Sequence, residues 1–236
     1  MASIMGKHQT TAIVLAGGLG TRLKNVVADI PKPMAPIKDK PFLFYIFKYL
    51  KKYKIEKIIL SVGYKWEKIK EYFGDNFEGI DLIYSVEDEP LGTGGAIKKA
   101  ISKLEDEEVF ILNGDTFFKI DLEKLSLVEN SKLVLALKKM YDFDRYGCVK
   151  TDENGLVTAF TEKAYNKSAY INGGIYLART NIFDDFTLKN KFSFEEFMQS
   201  QFKKLQINTV KFNDYFIDIG IPNDYEIAQN EIRNHI

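Results

Sequence analysis

The sequence has little of what several classes of protein require. Cys148 is the only cysteine, which excludes an internal disulfide and a cysteine-rich zinc site, and we expect its side chain in the core. No apolar run approaches the roughly 18 residues that a membrane span needs. Residues 1–10 lack the apolar region of a signal peptide and are left out of the fold argument. We therefore expect a cytoplasmic protein with no membrane partner.

Net charge is also absent. Lys plus Arg and Asp plus Glu number 33 each, so no long-range field would attract nucleic acid, and we expect none as a partner. Any anion site must then be a local cluster. Both histidines, His8 and His235, lie near the ends of the chain and are poor candidates for catalysis. Apolar residues make up 45% of the chain, enough for a substantial core.

A glycine-rich loop with two nearby cations is the most informative stretch. The apolar run at residues 12–16 predicts a buried strand, and GGLGTR follows it at residues 17–22. Lys32 comes next, held between two prolines. Glycines bring bare N–H groups close to a ligand, and Arg22 and Lys32 add positive charge. This combination favours a polyphosphate site over an ordinary strand-to-helix turn.

Alternating strands and helices follow this loop. The pattern predicts strands at residues 57–62, 80–86 and 109–112 and helices at 41–54, 66–73 and 92–103. Such alternation predicts an α/β, Rossmann-like, doubly wound sheet that is mixed and mostly parallel.

After residue 131 the segments are mostly strand-like. We predict strands at residues 133–139, 147–150, 156–161, 171–178 and 207–212, a DENG turn at 152–155, and helices at 194–204 and 222–234. We found no internal repeat or linker. The expectation is one domain over residues 11–236, with one lobe at 11–130 and a smaller mixed or antiparallel β lobe at 131–236 that ends in a helix.

Two carboxylates end short apolar runs. Asp115 follows a predicted strand in LNGDTFF, and Asp218 lies in FIDIGIPNDY. Ligands of open parallel sheets bind beyond the carboxyl ends of the strands, which is where the glycine loop also begins. Two carboxylates and substrate phosphates suit Mg²⁺. A lone Asp after a strand is also a common turn or cap residue, and spacing alone does not show that these two meet.

Two other groups of residues suit further parts of a substrate. LGTGGA, at residues 91–96, opens a helix and would let a flat group lie against the backbone, or it is simply a tight helix start. Glu87 matches the donor edge of guanine, or it is a solvated acid. Glu, Asn, Gly and Lys suit a sugar phosphate, although each also fits a turn or strand end; the residues concerned are Gly147, Glu162, Lys163, Asn172 and Gly173.

Five ordered motifs, LAGGLGTRL, PKPMAPI, LGTGGAI, NGDTF and FIDIGIPNDY, resemble those of the sugar-1-phosphate nucleotidyltransferases over about residues 13–228. Within this family the chain is most similar to the D-glycero-α-D-manno-heptose 1-phosphate guanylyltransferases, and next to the mannose-1-phosphate enzymes. The resemblance implies the nucleotide-diphospho-sugar transferase fold and transfer of a nucleotidyl group, expected from GTP, to a sugar 1-phosphate. It also implies Mg²⁺ as cofactor, a single reaction, and a role in biosynthesis of a surface polysaccharide such as a capsule, S-layer or lipopolysaccharide.

The resemblance also implies a role for each motif residue. Arg22, Lys32, Asp115 and Asp218 would be catalytic, and the two aspartates would hold the metal. The lobe at 11–130 would bind the nucleotide, and the lobe at 131–236 would bind the sugar phosphate on the five residues from Gly147 to Gly173 named above. The nucleotide would contact Leu15, Ala16, Gly17, Gly18, Gly20, Thr21, Arg22, Lys32, Glu87, Pro90, Gly92, Thr93, Gly94 and Gly114.

Other classes of function stay open at this point. A non-catalytic nucleotide-sugar sensor would need the same pockets, but it would not need all four catalytic residues. A dinucleotide-dependent oxidoreductase has an acid near the expected offset, at Asp39, but Leu23 stands where the third glycine of G-x-G-x-x-G belongs. The phosphate-loop kinase motif is absent from the sequence. The sugar, the base and the oligomeric state, including a homo-oligomer, are left undecided.

Overall fold

An eight-stranded mixed sheet runs through the described chain, which comprises residues 9–18 and 30–236 of a computed structural model. Four neighbouring pairs of strands are parallel and three are antiparallel. In spatial order the strands are β13 (Asn208–Phe212), β9 (Leu133–Phe143), β12 (Asn166–Arg179), β7 (Glu108–Asn113), β1 (Thr11–Leu15), β4 (Lys57–Val62), β6 (Ile80–Val86) and β5 (Asn76–Phe77).

Helices cover both faces of this sheet, and five are found among the described residues. They are α1 (Phe42–Lys52), α2 (Trp66–Phe73), α3 (Gly92–Ile101), α4 (Phe194–Leu205) and α5 (Pro222–Glu231). Alternate residues of β1 enter different cores: Ala12 and Val14 pack with α1, α2 and α5, whereas Ile13 packs with α3 and α4. Because both faces of β1 are buried, its sequence is a continuous apolar run. The doubly wound α/β prediction is confirmed.

The strands of the second half mainly extend the central sheet. β9, β12 and β13 all belong to it, whereas we expected a smaller sheet in this half. The sequence pattern marks strands but not their partners, and β12 pairs antiparallel with both β7 and β9. A separate hairpin does form from β10 (Val149–Thr151) and β11 (Val157–Phe160). Its predicted turn is present, with Gly155 at φ +81° and its N–H donating to the Asp152 carbonyl.

The ends of elements differ from the predictions by small amounts. α1 ends at Lys52 rather than at residue 54, because Lys54 has a φ of +55° and cannot continue a right-handed helix. α3 ends at Ile101, and α5 ends at Glu231, where a 3-10 helix follows. Cys148 is buried, as expected. None of the helices in the described ranges has the length and apolarity that a membrane crossing requires.

The last helix holds the hairpin that follows Lys32. This hairpin consists of β2 (Pro36–Ile37) and β3 (Lys40–Pro41). Gln229 of α5 donates from Nε2 to the Pro36 carbonyl at 2.6 Å and accepts at Oε1 from the Lys38 N–H at 2.7 Å. Tyr225 donates its hydroxyl to the same Pro36 carbonyl. α5 therefore restrains the segment that carries Lys32.

We expect Phe47→Ala to lower the free energy of unfolding by about 3–5 kcal/mol, since it empties a closed aromatic site. Phe47 is fully buried in α1, and its ring centroid lies 4.8 Å from that of Phe73 and 5.2 Å from that of Phe77. Urea unfolding measures the loss. Val128→Ala is the control, because Val128 is 54% exposed and its truncation should change stability by less than about 0.5 kcal/mol. Equal effects of the two variants would contradict the assigned core.

Candidate active site

One cleft opens at the carboxyl ends of the central strands. Ser61, Leu15 and Asn113 lie side by side across β4, β1 and β7, in register. We call it the sheet-edge cleft; its lining is Leu15, Gly17, Gly18, Lys32, Pro33, Ser61, Gly63, Tyr64, Glu87, Asp88, Pro90, Gly92, Thr93, Ala96, Asn113, Asp115 and Glu195. Most of the predicted nucleotide contacts therefore share one cavity, at the edge of the sheet where ligands of such folds bind.

Two short strands bring the two predicted metal ligands together. β8 (Thr116–Phe118) pairs antiparallel with β14 (Phe216–Asp218), which sets Asp218 opposite Thr116, the residue after Asp115. The Ile219 N–H donates to the Asp115 carbonyl at 3.0 Å. Lys32 completes the cluster, because its Nζ lies 2.5 Å from Asp115 Oδ2 and 3.8 Å from Asp218 Oδ1. Sequence spacing alone did not predict this meeting.

The electrostatics of this cluster favour a bound cation. Burial raises the pKa of Asp218 above its ordinary value and the Asp115 charge raises it further, while Lys32 and the Gly220 N–H lower it. Two carboxylates face one ammonium group here, so the cluster has a net negative charge when both carboxylates are ionised. Among the described residues no group of three or more His, Cys, Asp or Glu could hold a metal. Two carboxylate ligands fit Mg²⁺, which keeps several of its waters.

Glu87 is fixed beside Gly17. Its Oε1 accepts from the Ser61 hydroxyl at 3.3 Å, and its Oε2 accepts from the Leu91 N–H at 2.9 Å. A Cβ built on Gly17 would lie 3.0 Å from Glu87 Oε1, so the backbone of Gly17 lies close to the carboxylate. Each oxygen accepts only one hydrogen bond from the described residues and can accept another from a ligand. Recognition of guanine by Glu87 stays a prediction.

The glycines that open α3 serve packing. Gly92 has a φ of +70°, and its built Cβ would lie 2.6 Å from the Phe192 carbonyl oxygen. A Cβ on Gly94 would lie 2.2 Å from Cε2 of the Phe192 ring. Gly114 similarly lies against β1, since its built Cβ would be 2.4 Å from the Leu15 carbonyl oxygen. Of these three glycines, Gly92 lines the sheet-edge cleft and the other two do not.

A second cleft lies beside the first, among the strands of the second half. We call it the β-lobe cleft; its lining is Arg145, Tyr146, Gly147, Cys148, Val149, Phe160, Thr161, Lys163, Ile171, Asn172, Glu195, Met198, Gln199, Asp218, Gly220, Ile221 and Asp224. It includes Asp218 of the carboxylate cluster, so the cluster lies where the two clefts adjoin.

The structure brings three of the five predicted sugar-phosphate residues to this cleft: Gly147, Lys163 and Asn172. Glu162 is exposed and lines a neighbouring surface groove instead. Gly173 packs inward, since a Cβ there would lie 2.4 Å from the Phe118 ring. It lies at a bulge of β12 beside Gly174, which has a φ of +75°.

Sequence reasoning missed an ion pair in the β-lobe cleft. Arg145 Nη2 lies 2.7 Å from Asp224 Oδ2 on α5, and the Asp224 residue is only 9% exposed. Next to it, Tyr146 donates its hydroxyl to Asp218 Oδ2 at 3.4 Å, and burial raises the pKa of Tyr146. Asp224 lies in the first turn of a helix, where an acid is ordinary, so no sequence signal singled it out.

The remaining predicted residues fall into two groups. Ala16 is buried and does not line the sheet-edge cleft; its N–H donates to the Ser61 carbonyl at 2.7 Å. Gly20, Thr21 and Arg22 lie outside the described residues.

Comparison with known proteins agrees with this architecture. The family model described as "Nucleotidyl transferase" matches residues 11–235. The chain belongs to this family. Two similar relatives are named D-glycero-alpha-D-manno-heptose 1-phosphate guanylyltransferase. The one from Campylobacter jejuni is 62% identical over 91% of this chain and 96% of its own length. The one from Aneurinibacillus thermoaerophilus is 51% identical over 95% of this chain and 99% of its own length.

Solved structures of the family superpose well on this chain. Two crystal structures of HddC from Yersinia pseudotuberculosis, one of them complexed with GMP-PN, have TM-scores of 0.84 and 0.81. Their identities are 38% and 37%, and both cover 94% of this chain and 99% of the matched one. The predicted fold and the predicted family are confirmed.

Two glycine substitutions distinguish a glycine that packing requires from one that packing does not require. We expect Gly94→Ala to lower the free energy of unfolding by about 1–3 kcal/mol, because the new methyl group displaces the Phe192 ring. Gly18→Ala should leave stability within about 0.5 kcal/mol, since no atom of the described residues lies within 4 Å of its built Cβ. Urea unfolding checks both values. If Gly94→Ala is as stable as the wild type, the Phe192 ring can move at no cost and the packing role of Gly94 is wrong.

Proposed function

We propose that this protein transfers the guanylyl group of GTP to D-glycero-α-D-manno-heptose 1-phosphate, giving GDP-heptose and pyrophosphate. The observation that carries the proposal is the cluster of Lys32, Asp115 and Asp218 where two clefts adjoin. The names of the two heptose 1-phosphate relatives support the choice of sugar and base. The relative complexed with GMP-PN supports a guanine nucleotide.

The two clefts suggest how the substrates would bind. We assign the nucleotide to the sheet-edge cleft and the sugar phosphate to the β-lobe cleft, where Lys163 supplies a cation and Asn172 a polar side chain for a hydroxyl. Both clefts lie along one continuous sheet. This supports a single domain over residues 11–236 whose two lobes, 11–130 and 131–236, each hold one substrate.

The reaction needs no protein base. A phosphate oxygen of the sugar 1-phosphate is already nucleophilic near neutral pH, and it attacks the α-phosphorus of the triphosphate while pyrophosphate leaves. The main barrier is repulsion between two polyanions, about 4 kcal/mol per close pair of unit charges at an effective dielectric of about 20. Lys32, Lys163 and, by its motif, Arg22 would offset this repulsion and hold the in-line geometry.

Mg²⁺ is the cofactor that the carboxylate pair fits. Asp115 and Asp218 would hold it, and when bound it would neutralise phosphate charge. Lys32 contacts both carboxylates, so it would remain beside the phosphates and keep the two aspartates in position. A cytoplasmic location, a role in surface polysaccharide synthesis and a homo-oligomeric state remain predictions.

A substrate grid tests the proposed specificity. Four nucleoside triphosphates are combined with the 1-phosphates of heptose, mannose, glucose and N-acetylglucosamine, and pyrophosphate release is measured with Mg²⁺ present. We expect GTP with the heptose phosphate to have the highest kcat/KM. If another pair is best, nucleotidyl transfer stands and the assigned specificity is wrong. Binding of both substrates without pyrophosphate release would favour the non-catalytic sensor.

Truncation of Asp115 or Arg22 tests the electrostatic role proposed for each side chain. We expect Asp115→Ala and Arg22→Ala each to reduce kcat by at least about a hundredfold, the scale for losing an electrostatic stabiliser. Asp184→Ala is the matched control, because Asp184 is exposed and lines neither cleft. Unfolding curves confirm that each variant folds. Near-normal turnover in either variant would overturn the role given to that residue.

A further inference from the structure

Glu195 is the one described residue that lines both clefts. It is the second residue of α4, directly after the helix start that Ser193 caps. No part of the proposed chemistry uses it. A carboxylate at the boundary of two anion-binding clefts is unexpected, because it repels phosphates unless it faces some other group.

Its own contacts fix the orientation of the carboxylate. Oε2 accepts from the Thr93 hydroxyl at 2.8 Å and from the Ser193 hydroxyl at 3.0 Å. The Thr93 hydroxyl in turn accepts from the Phe194 N–H at 2.8 Å, so α3 and α4 are joined at this point. Oε1 accepts no hydrogen bond from the residues that the structure describes. One oxygen is therefore committed to the protein and the other is open.

The carboxylate shares the β-lobe cleft with a second polar side chain. Asn172 also lines this cleft, and its Nδ2 donates to the Tyr176 hydroxyl at 2.8 Å. Burial raises the pKa of Tyr176, and the charge of Glu195 raises it further. Glu195 and Asn172 are therefore two polar side chains of one cleft.

The chemistry of a carboxylate limits what the open oxygen can bind. An ionised carboxylate only accepts hydrogen bonds, and a phosphate near neutral pH offers almost no donor. Lys163, in the same cleft, is the group suited to the phosphate. Among the groups that we assign to the β-lobe cleft, the donors that remain for Glu195 are the hydroxyls of the sugar 1-phosphate.

We propose that Glu195 determines sugar specificity by accepting a hydrogen bond from a hydroxyl of the sugar 1-phosphate, while the same carboxylate holds Thr93 in the sheet-edge cleft. This inference rests on the proposed function, because it assumes a sugar phosphate in the β-lobe cleft. The contact joins the sugar to the start of α3, so recognition of the sugar depends on a group that also shapes the nucleotide cleft.

Glu195→Gln is the first test, because glutamine keeps an oxygen for Thr93 and Ser193 and replaces the charged acceptor by a neutral amide. We expect KM for the sugar 1-phosphate to rise about 10- to 100-fold, the range for losing a hydrogen bond to a charged group. KM for the triphosphate should stay within about twofold of the wild-type value. Glu196→Gln is the matched control, since Glu196 is exposed and lines neither cleft, and it should behave as wild type.

Monodeoxy sugar 1-phosphates give the decisive comparison. If Glu195 binds one hydroxyl, the analogue that lacks this hydroxyl should show at most about a twofold difference between wild type and Glu195→Gln. The other analogues should keep the full penalty. An equal penalty with every analogue would show a merely structural role and overturn the proposal. Loss of the penalty with 2′- or 3′-deoxynucleoside triphosphates instead would assign the contact to ribose and also overturn it.

A failure of the proposed function can be distinguished from a failure of the role proposed for Glu195. The wild-type grid tests the proposed function, and the Glu195 comparison uses whichever pair the wild type turns over best. A different preferred sugar would therefore correct the proposed function and still test Glu195. Calorimetric titration of each sugar 1-phosphate into wild type and Glu195→Gln makes the same comparison without turnover. If the two proteins have equal Kd values for every analogue, the role of Glu195 is wrong.

Discussion

The short antiparallel pairing of β8 with β14 is the contact on which the candidate site depends. These two strands come from distant parts of the sequence, and their register sets Asp218 opposite the neighbour of Asp115. Two carboxylates held this close repel each other, and Lys32 between them reduces that cost. The same arrangement favours a divalent cation and substrate phosphates, so one set of charges serves both stability and the proposed chemistry.

The two clefts are connected by an ion pair and hydrogen bonds as well as by the shared sheet. Asp224 of α5 forms an ion pair with Arg145 in the β-lobe cleft. Gln229 of the same helix forms hydrogen bonds with the hairpin that follows Lys32. On the opposite face of the sheet, Glu195 of α4 contacts Thr93 of α3. Each substrate would therefore bind against groups whose positions depend on the other cleft, which suits a reaction between two bound anions.

Much of this arrangement could be predicted from the sequence, because local patterns determine local structure. The strands β4 and β6 and helix α2 were predicted at their observed bounds. A shared site for Lys32, Asp115 and Asp218 was implied by the resemblance to the family and not by their spacing. Partner choice was not predictable: alternation does not say that β12 lies between β7 and β9. The sequence also left open whether Gly94 contacts a ligand or allows a tight helix start. The Phe192 ring that packs against it lies far along the chain. Glu195 carries no local signal, since an acid in a first helical turn is ordinary.

The position of β14 near the end of the sequence has a consequence for synthesis on the ribosome. A nascent chain that has reached residue 212 already contains every strand of the central sheet, but it lacks the partner of β8 and the helix that holds the Lys32 hairpin. Such a chain can begin to bury its two cores while one of its paired carboxylates does not yet exist. The cluster of Lys32, Asp115 and Asp218 can therefore be completed only after every strand of the central sheet has been synthesised.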